Sequence, residues 1–278
     1  MDIYELEANI GNWDKGLKNG NGSQSYLNGD IYSGNWVNNQ RYGKGKINYI
    51  NGDFYDGDWH NDKIQGAGIF QYVDGSTYNG DWINGRKNGR GTFNSSLDEK
   101  YIGEWKDNNR EGEGTYTDGE GNKYKGTWKN NTKSGKGTYT DKAGHRYTGD
   151  WLNGKRDGKG TYSFVGQKKE DIITVDFLYL KGTRYVGEWK EDRFHGQGSF
   201  KYTNGDNYEG YWEMDLRQGE GIFNSSDGEH YEGDWLRDLK HGIGENDFKN
   251  GNSYKGNWIE GFMDGIGEMV YNNGDRYK

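Results

Sequence analysis

The groups in this chain that could do chemistry are its carboxylates, its five histidines and a series of Gly-x-Gly steps. A shared metal ion needs ligands converging to roughly 2.0–2.3 Å from one point. His60, His145, His195, His230 and His241 are scattered, and only His195 and His241 share a local context, His-Gly-x-Gly. The segment DGEGNKY from Asp118 resembles the start of a calcium loop. Its sixth residue, however, is Lys123 where the sharp turn needs glycine, and its twelfth is Lys129 where calcium needs a bidentate glutamate. Gly-x-Gly recurs without the Gly-Lys-Ser/Thr ending of a phosphate loop. Paired acids such as Asp56 with Asp58 and Glu232 with Asp234 stand beside regularly spaced lysines, a pattern of solubilising strand charges rather than acid–base pairs. Cysteine is absent, which removes disulfides, thiolate catalysis and cysteine metal sites and fits a reducing compartment. The expectation is a chain that is not an enzyme, with no catalytic residue, no metal and no cofactor.

What must position these residues is a repeat. The tryptophans fall at 13, 36, 59, 82, 105, 128, 151, 189, 212, 235 and 258, so every step is 23 residues except the one from Trp151 to Trp189. A glycine precedes each tryptophan by two residues, and others follow it by seven and nine, which accounts for 33 of the 49 glycines. One cycle, Tyr55 to Gly75, reads YDGDWHNDKIQGAGIFQYVDG. Such fixed-period self-similarity marks a repeat architecture.

Within a cycle, Tyr55, Gly57 and Trp59 alternate and so share one face of a strand, while Asp56, Asp58 and His60 face the other way. The next segment places Gly66, Gly68, Phe70 and Tyr72 on one face by the same count. HNDKIQ and VDGST are turn-like, so one cycle is one hairpin. Leucine-rich and helical solenoids fail: there is no Leu-x-x-Leu-x-Leu pattern or 3.6-residue period, and each glycine would cost a helix roughly 1 kcal/mol. The glycines are expected to clear space for a tryptophan lying flat on the sheet. Tyr55, Gly57, Trp59, Gly66 and Gly68 are thus the structural skeleton.

Composition agrees with a thin core. Only 29% of residues are hydrophobic and mean hydropathy is −1.27, but 16% are aromatic. Aromatic side chains each bury roughly 150–250 Å² and can build a strip in place of a ball. The fold class is therefore all-β: an elongated, solenoid-like, twisted antiparallel sheet of stacked 23-residue β-hairpins, about 100 Å long before twist. Net charge is −8, which gives no general reason for nucleic-acid binding. The opening residues MDIYELEANI are acidic and lack an apolar signal region, and no apolar run is long enough to span a membrane as a helix.

The Tyr-x-Gly-x-Trp, Gly-x-Gly and closing-Gly skeleton resembles the MORN repeat (membrane occupation and recognition nexus). The resemblance covers residues 9 to 278, with YVGEWKEDRFHGQGSF (Tyr185 to Phe200) and YEGDWLRDLKHGIGE (Tyr231 to Glu245) close to the family pattern. Asn88, Glu111, Ser134 and Asp157 depart from it where His195 and His241 stand. The resemblance implies an aromatic groove and a role in scaffolding, protein-partner binding, and cytoskeletal or ciliary (axonemal) assemblies. Membrane attachment occurs in some relatives, and the catalytic domains that accompany some arrays have no room here.

Domain organisation follows: residues 1–8 as a lead-in, 9–162 as repeats 1–7, 163–176 as an insertion interrupting the second strand of the seventh hairpin, and 177–278 as the completion of repeat 7, repeats 8–11 and a partial final strand. The insertion carries Ile172, Ile173, Val175, Phe177 and Tyr179, either a projecting partner-docking patch or the aliphatic face of a lengthened strand. Phe262, Met263, Met269 and Tyr271 lie near an open sheet edge that could pair with a second copy. The leading functional reading is a non-catalytic cytoplasmic scaffold, cytoskeletal or ciliary, that binds a protein partner through the aromatic groove. The alternative is a membrane adaptor binding phosphoinositides or other anionic lipids through Arg86, Lys87, Arg90, Lys155, Arg156, Lys159, Lys168 and Lys169.

Overall fold

A computed structural model describes residues 9–165 and 182–278. Among these residues there is no helix, and 23 strands form one open antiparallel sheet. Each cycle is the expected hairpin. A seven-residue strand such as Phe54–His60 carries the Tyr-x-Gly-x-Trp, and a nine-residue strand such as Lys63–Gln71 carries the Gly-x-Gly. Contacts divide the chain into two units, residues up to 132 and residues from 133 onward.

The hairpins close on two-residue turns with both central residues in the left-handed region, as at Asn61 (φ 49°) and Asp62 (φ 63°). That conformation matches the twist of the paired strands and suits Asn, Asp and Gly, which is why the HND-type segments turn here. Gly66 then opens a bulge: pairing runs from Gly57↔Gly68 to Trp59↔Ile64, leaving extra residues opposite Asp58. Its φ of +86° demands glycine, and the Asp58 carboxylate accepts the Ala67 amide at 3.0 Å across the bulge. Successive hairpins join in one register, Gly66↔Trp82, Gly68↔Gly80 and Phe70↔Tyr78.

The core is a single-file ladder of rings. The tyrosine of each repeat from Tyr32 to Tyr231 is at most 1% exposed and every tryptophan after Trp13 is at most 8% exposed. Tyr55 meets Trp59 of its own repeat at 5.5 Å and Trp82 of the next at 5.7 Å, both edge to face, the favoured geometry for aromatic pairs. Its hydroxyl donates to the Asp58 carbonyl at 3.1 Å, and the Trp59 indole donates to Gly45 O of the preceding repeat at 2.9 Å.

This geometry corrects the expected job of the glycines. A Cβ on Gly68 would collide with the Tyr55 ring, and one on Gly57 with the Tyr55 hydroxyl and the facing backbone of Ala67 and Gly68, neither with a tryptophan. The Gly57–Gly68 pair is the bed of the phenol, while Gly66 serves backbone conformation.

The insertion is also placed differently. Strand Lys155–Ser163 is complete, with nine residues as elsewhere, and it pairs with Arg184–Lys190 in the usual register, Gly158↔Trp189 and Tyr162↔Tyr185. Phe164 N donates to Thr183 O at 3.1 Å and Gly182 N to Phe164 O at 3.0 Å, the bonds that Tyr72, Ser76 and Gly75 make in a standard connection. The additional residues therefore enter the turn between hairpins, after Phe164, and do not interrupt the strand. Ile172, Ile173, Val175, Phe177, Tyr179, Lys168 and Lys169 lie outside the described residues.

Candidate functional site

The aromatic face carries a second row of residues that spacing alone did not single out. Five positions after each tryptophan stand Lys18, Arg41, Ile64, Lys87 and Arg110 in the first unit, and Lys133, Arg156, Phe194, Arg217, Lys240 and Met263 in the second. Eight of these eleven are cations, and they lie over the rings. Arg41 sits 4.2 Å from the Trp59 ring, Arg156 4.4 Å from Trp189 and Arg217 4.2 Å from Trp235. A cation over an aromatic face gains roughly 0.5–2 kcal/mol, more as water is excluded. The signal was present in the sequence as a Lys/Arg preference at one phase of the repeat, hidden by the acidic total.

Most of the arginines in the row are neutralised by the turn of the following hairpin. Asp62 accepts both the main-chain amide and Nε of Arg41 at 3.0 Å, and Asp192 and Asp238 do the same for Arg156 and Arg217 at 2.9–3.0 Å. Where the residue beside the cation is an amide instead of a ring, a lysine takes its place: Lys18 donates to Gln24 and Lys240 to Asn246, both at 2.5 Å. Lys240 also bonds Glu229 at 2.6 Å.

Cavities open along this face. One of about 600 Å³ in the first unit has Arg41, Ile64, Trp59 and Trp82 among its walls. A second, about 220 Å³, lies between Lys87 and Arg110. A third, about 810 Å³ in the second unit, includes Met263, Met269, Tyr271 and Tyr277.

The residues expected to bind lipid as clusters are separated by strand alternation. Lys87 and Arg156 belong to the aromatic face, whereas Arg90 and Lys159 stand opposite Glu104 and Glu188 in the register of the neighbouring strands. Arg86 pairs with Asp107 at 3.6 Å and Lys155 with Glu191 at 3.5 Å. Of the residues expected near an open edge, Phe262 is 76% exposed, Met263 and Tyr271 are exposed, and Met269 is half-buried.

Burial pushes the hydroxyls of Tyr32, Tyr55, Tyr78, Tyr101, Tyr147, Tyr185, Tyr208 and Tyr231 above the ordinary phenol range. The same desolvation lowers Lys87 to about 8. Histidine chemistry is local: His145 Nδ1 accepts the Val165 amide at 3.1 Å and His230 Nδ1 lies 2.7 Å from Asn224 Oδ1. His195 and His241 hold the position from which Asn88 and Glu111 accept the next turn's amide, but their buried Nδ1 atoms have no partner. Among the described residues no group of His, Asp and Glu could hold a metal ion, and no helix is long and apolar enough to cross a membrane.

Hairpins of one type, locked by a Tyr–Trp ladder and faced mostly with stacked cations, define a β-repeat array. The MORN repeat profile matches eleven segments, residues 10–31, 32–54, 55–77, 78–96, 101–123, 124–146, 147–167, 185–207, 208–230, 231–253 and 254–276, and the chain belongs to that family. No curated protein matches it.

Among solved structures it is similar to the TCP10 domain of Danio rerio CPAP in complex with a peptide of Danio rerio STIL, at 11% identity and a TM-score of 0.32 over 98% of each chain. It is also similar to the G-box domain of the microcephaly protein CPAP, at 11% identity and a TM-score of 0.40 over 78% of this chain and 100% of that one. The TCP domain of Drosophila melanogaster SAS-4 with a proline-rich motif of Ana2 has 9% identity and a TM-score of 0.23, over 83% and 90%. Likeness at this level carries no argument about function.

Proposed function

We propose that the chain is a non-catalytic protein-interaction scaffold of a cytoplasmic, cytoskeletal or ciliary (axonemal) assembly, gripping a segment of its partner on the aromatic face. The observation that carries this reading is the face itself, a ladder of ring edges and stacked cations repeated at a 23-residue step with cavities opening along it. Family membership supports the coarser role of partner binding. Affinity capture of the tagged chain from its source cell, together with its localisation, tests the proposal: recovery of a cytoskeletal or ciliary component is expected. A diffuse distribution and no such component would sink it.

Self-association is a second reading, favoured by the exposure of Phe262, Met263 and Ile266 on the strand Phe262–Val270. Light scattering at micromolar concentration decides it, a monomeric mass ruling it out. Anionic-lipid binding would draw on the same basic residues, and flotation with and without anionic vesicles separates it from both.

A further inference from the structure

At Lys18, Lys87 and Arg110 the following turn carries an asparagine where three other cations of the aromatic row face an aspartate, and Lys87 and Arg110 are consecutive in the row. At Arg41, Arg156 and Arg217 the following turn supplies Asp62, Asp192 and Asp238. At Lys87 and Arg110 the same position holds Asn108 and Asn131, which keep the main-chain bonds at 2.8 Å but bring no charge.

Lys87 Nζ instead stands among four rings, 4.7 Å from Phe93, 5.2 Å from Tyr78 and Trp105 and 5.3 Å from Tyr72. Arg110 lies over Trp128 at 4.4 Å and Tyr116 at 5.2 Å. Both line the cavity of about 220 Å³, with Phe93 and Trp105 as apolar walls. The other charged groups there are Glu99, whose carboxylate bonds the Tyr116 hydroxyl, and Lys100, so positive charge is in excess.

We infer that Lys87 and Arg110 form an anchor for two carboxylate side chains on an extended segment of the partner. This rests on the reading that the aromatic face binds protein. Glu99 partly offsets Arg110, but the cavity still holds more positive than negative charge. A half-buried cation with too little counter-charge is costly, and a carboxylate delivered by a partner would relieve that cost and confer specificity. The lowering of Lys87 to about 8 by burial is the same unmet demand expressed as proton affinity. Lys87 and Arg110 are one repeat apart, two strand spacings or about 10 Å. Acidic residues three apart in a polyproline II chain share a face at about 9 Å, so that spacing fits the pair.

The test uses the full chain and calorimetric titration with a capped decapeptide bearing two glutamates three residues apart in an apolar background. Its glutamine analogue and inorganic phosphate are the controls. The glutamate peptide is expected to bind, the glutamine analogue at least about tenfold more weakly. The double variant N108D/N131D, which supplies the acid found in other repeats and keeps the oxygen that accepts the main-chain amide of Lys87 and Arg110, giving up only the Asn131 Nδ2 bond to Asn109 Oδ1, should lose affinity to a similar degree. K87Q/R110Q should do likewise, with circular dichroism unchanged. Absence of binding, equal binding of the glutamine analogue, an unaffected N108D/N131D, or phosphate binding as well as the peptide would each overturn the anchor. A partner captured elsewhere on the aromatic face would overturn the anchor and leave the proposed function standing.

Discussion

Gly68 and Gly75 separate two reasons for being glycine. A methyl group on Gly68 collides with the Tyr55 ring, whereas one on Gly75 meets nothing within 4 Å and suffers only the φ of +90°. Gly68→Ala is therefore expected to cost about 2–3 kcal/mol by overpacking, and Gly75→Ala about 1–2 kcal/mol from backbone strain. Urea denaturation of the two variants measures the difference, and equal costs would argue against the phenol bed. The buried tyrosines set an alkaline limit. Burial holds their folded pKa values above the ordinary phenol value, so the folded state holds protons that the unfolded state releases. Their stabilisation is complete below pH 10 and is lost as pH rises beyond it. Tyrosinate absorbance should show a late, cooperative ionisation coinciding with unfolding. Lys87 has the opposite sign: with a folded value of about 8 against 10.5, it penalises the fold below pH 8, and stability recovers between those values. Lys87→Met should flatten that recovery.

At the level of the hairpin, the two-residue turn is the element most open to improvement. Met214 (φ 52°) and Arg237 (φ 49°) hold the left-handed position that Asn occupies in Asn38, Asn61, Asn84, Asn130 and Asn153. Met214→Asn is expected to stabilise by about 0.5–1 kcal/mol, since Asn tolerates that conformation better, and thermal denaturation checks it. The strands and turns were legible in the sequence because Tyr and Trp, and Asn, Asp or Gly in the turns, recur in phase. The bulge was not, because Gly66 and Gly68 look alike as letters, and only the slip from Gly57↔Gly68 to Trp59↔Ile64 tells them apart. The insertion misled because Phe177-x-Tyr179 mimics Phe70-x-Tyr72. It is Tyr162 and Phe164, 4.4 Å apart, that take up the arrangement of Phe70 and Tyr72, at 4.6 Å. The cation row escaped notice because stacking depends on which face a side chain takes, a fact invisible in a net charge of −8.

Across the chain, stability accrues repeat by repeat, since each hairpin pairs with those next to it. The second unit tolerates its long connection because the ladder continues beside it: Tyr147 reaches Trp189 at 5.1 Å, and Trp189 donates to Gly160 O at 3.3 Å. Seventeen residues separate Phe164 from Gly182, against two between Tyr72 and Gly75. Excising residues 166–180 should therefore leave the fold intact and raise stability by roughly 2 kcal/mol through the shorter loop closure. A loss of stability would mean that the segment packs on the sheet. If partner binding disappeared while stability rose, the docking-patch expectation for Ile172 to Tyr179 would gain its first support.

The Tyr–Trp ladder has an optical consequence. In the first unit Trp36 lies 5.0 Å from Tyr32, and Tyr32 lies 5.4 Å from Trp59, so successive indoles are bridged by a phenol at near-contact distance. Excitation absorbed by a tyrosine has an indole beside it and should pass there before it can be emitted. Energy should then hop between neighbouring indoles within a unit, depolarising the fluorescence. Trp13, 53% exposed while the other indoles are shielded, would emit further to the red and report solvent, quencher or partner at its own end of the sheet. The array thus carries its own light guide, and a break in any one repeat should register as a rise in anisotropy without an added label.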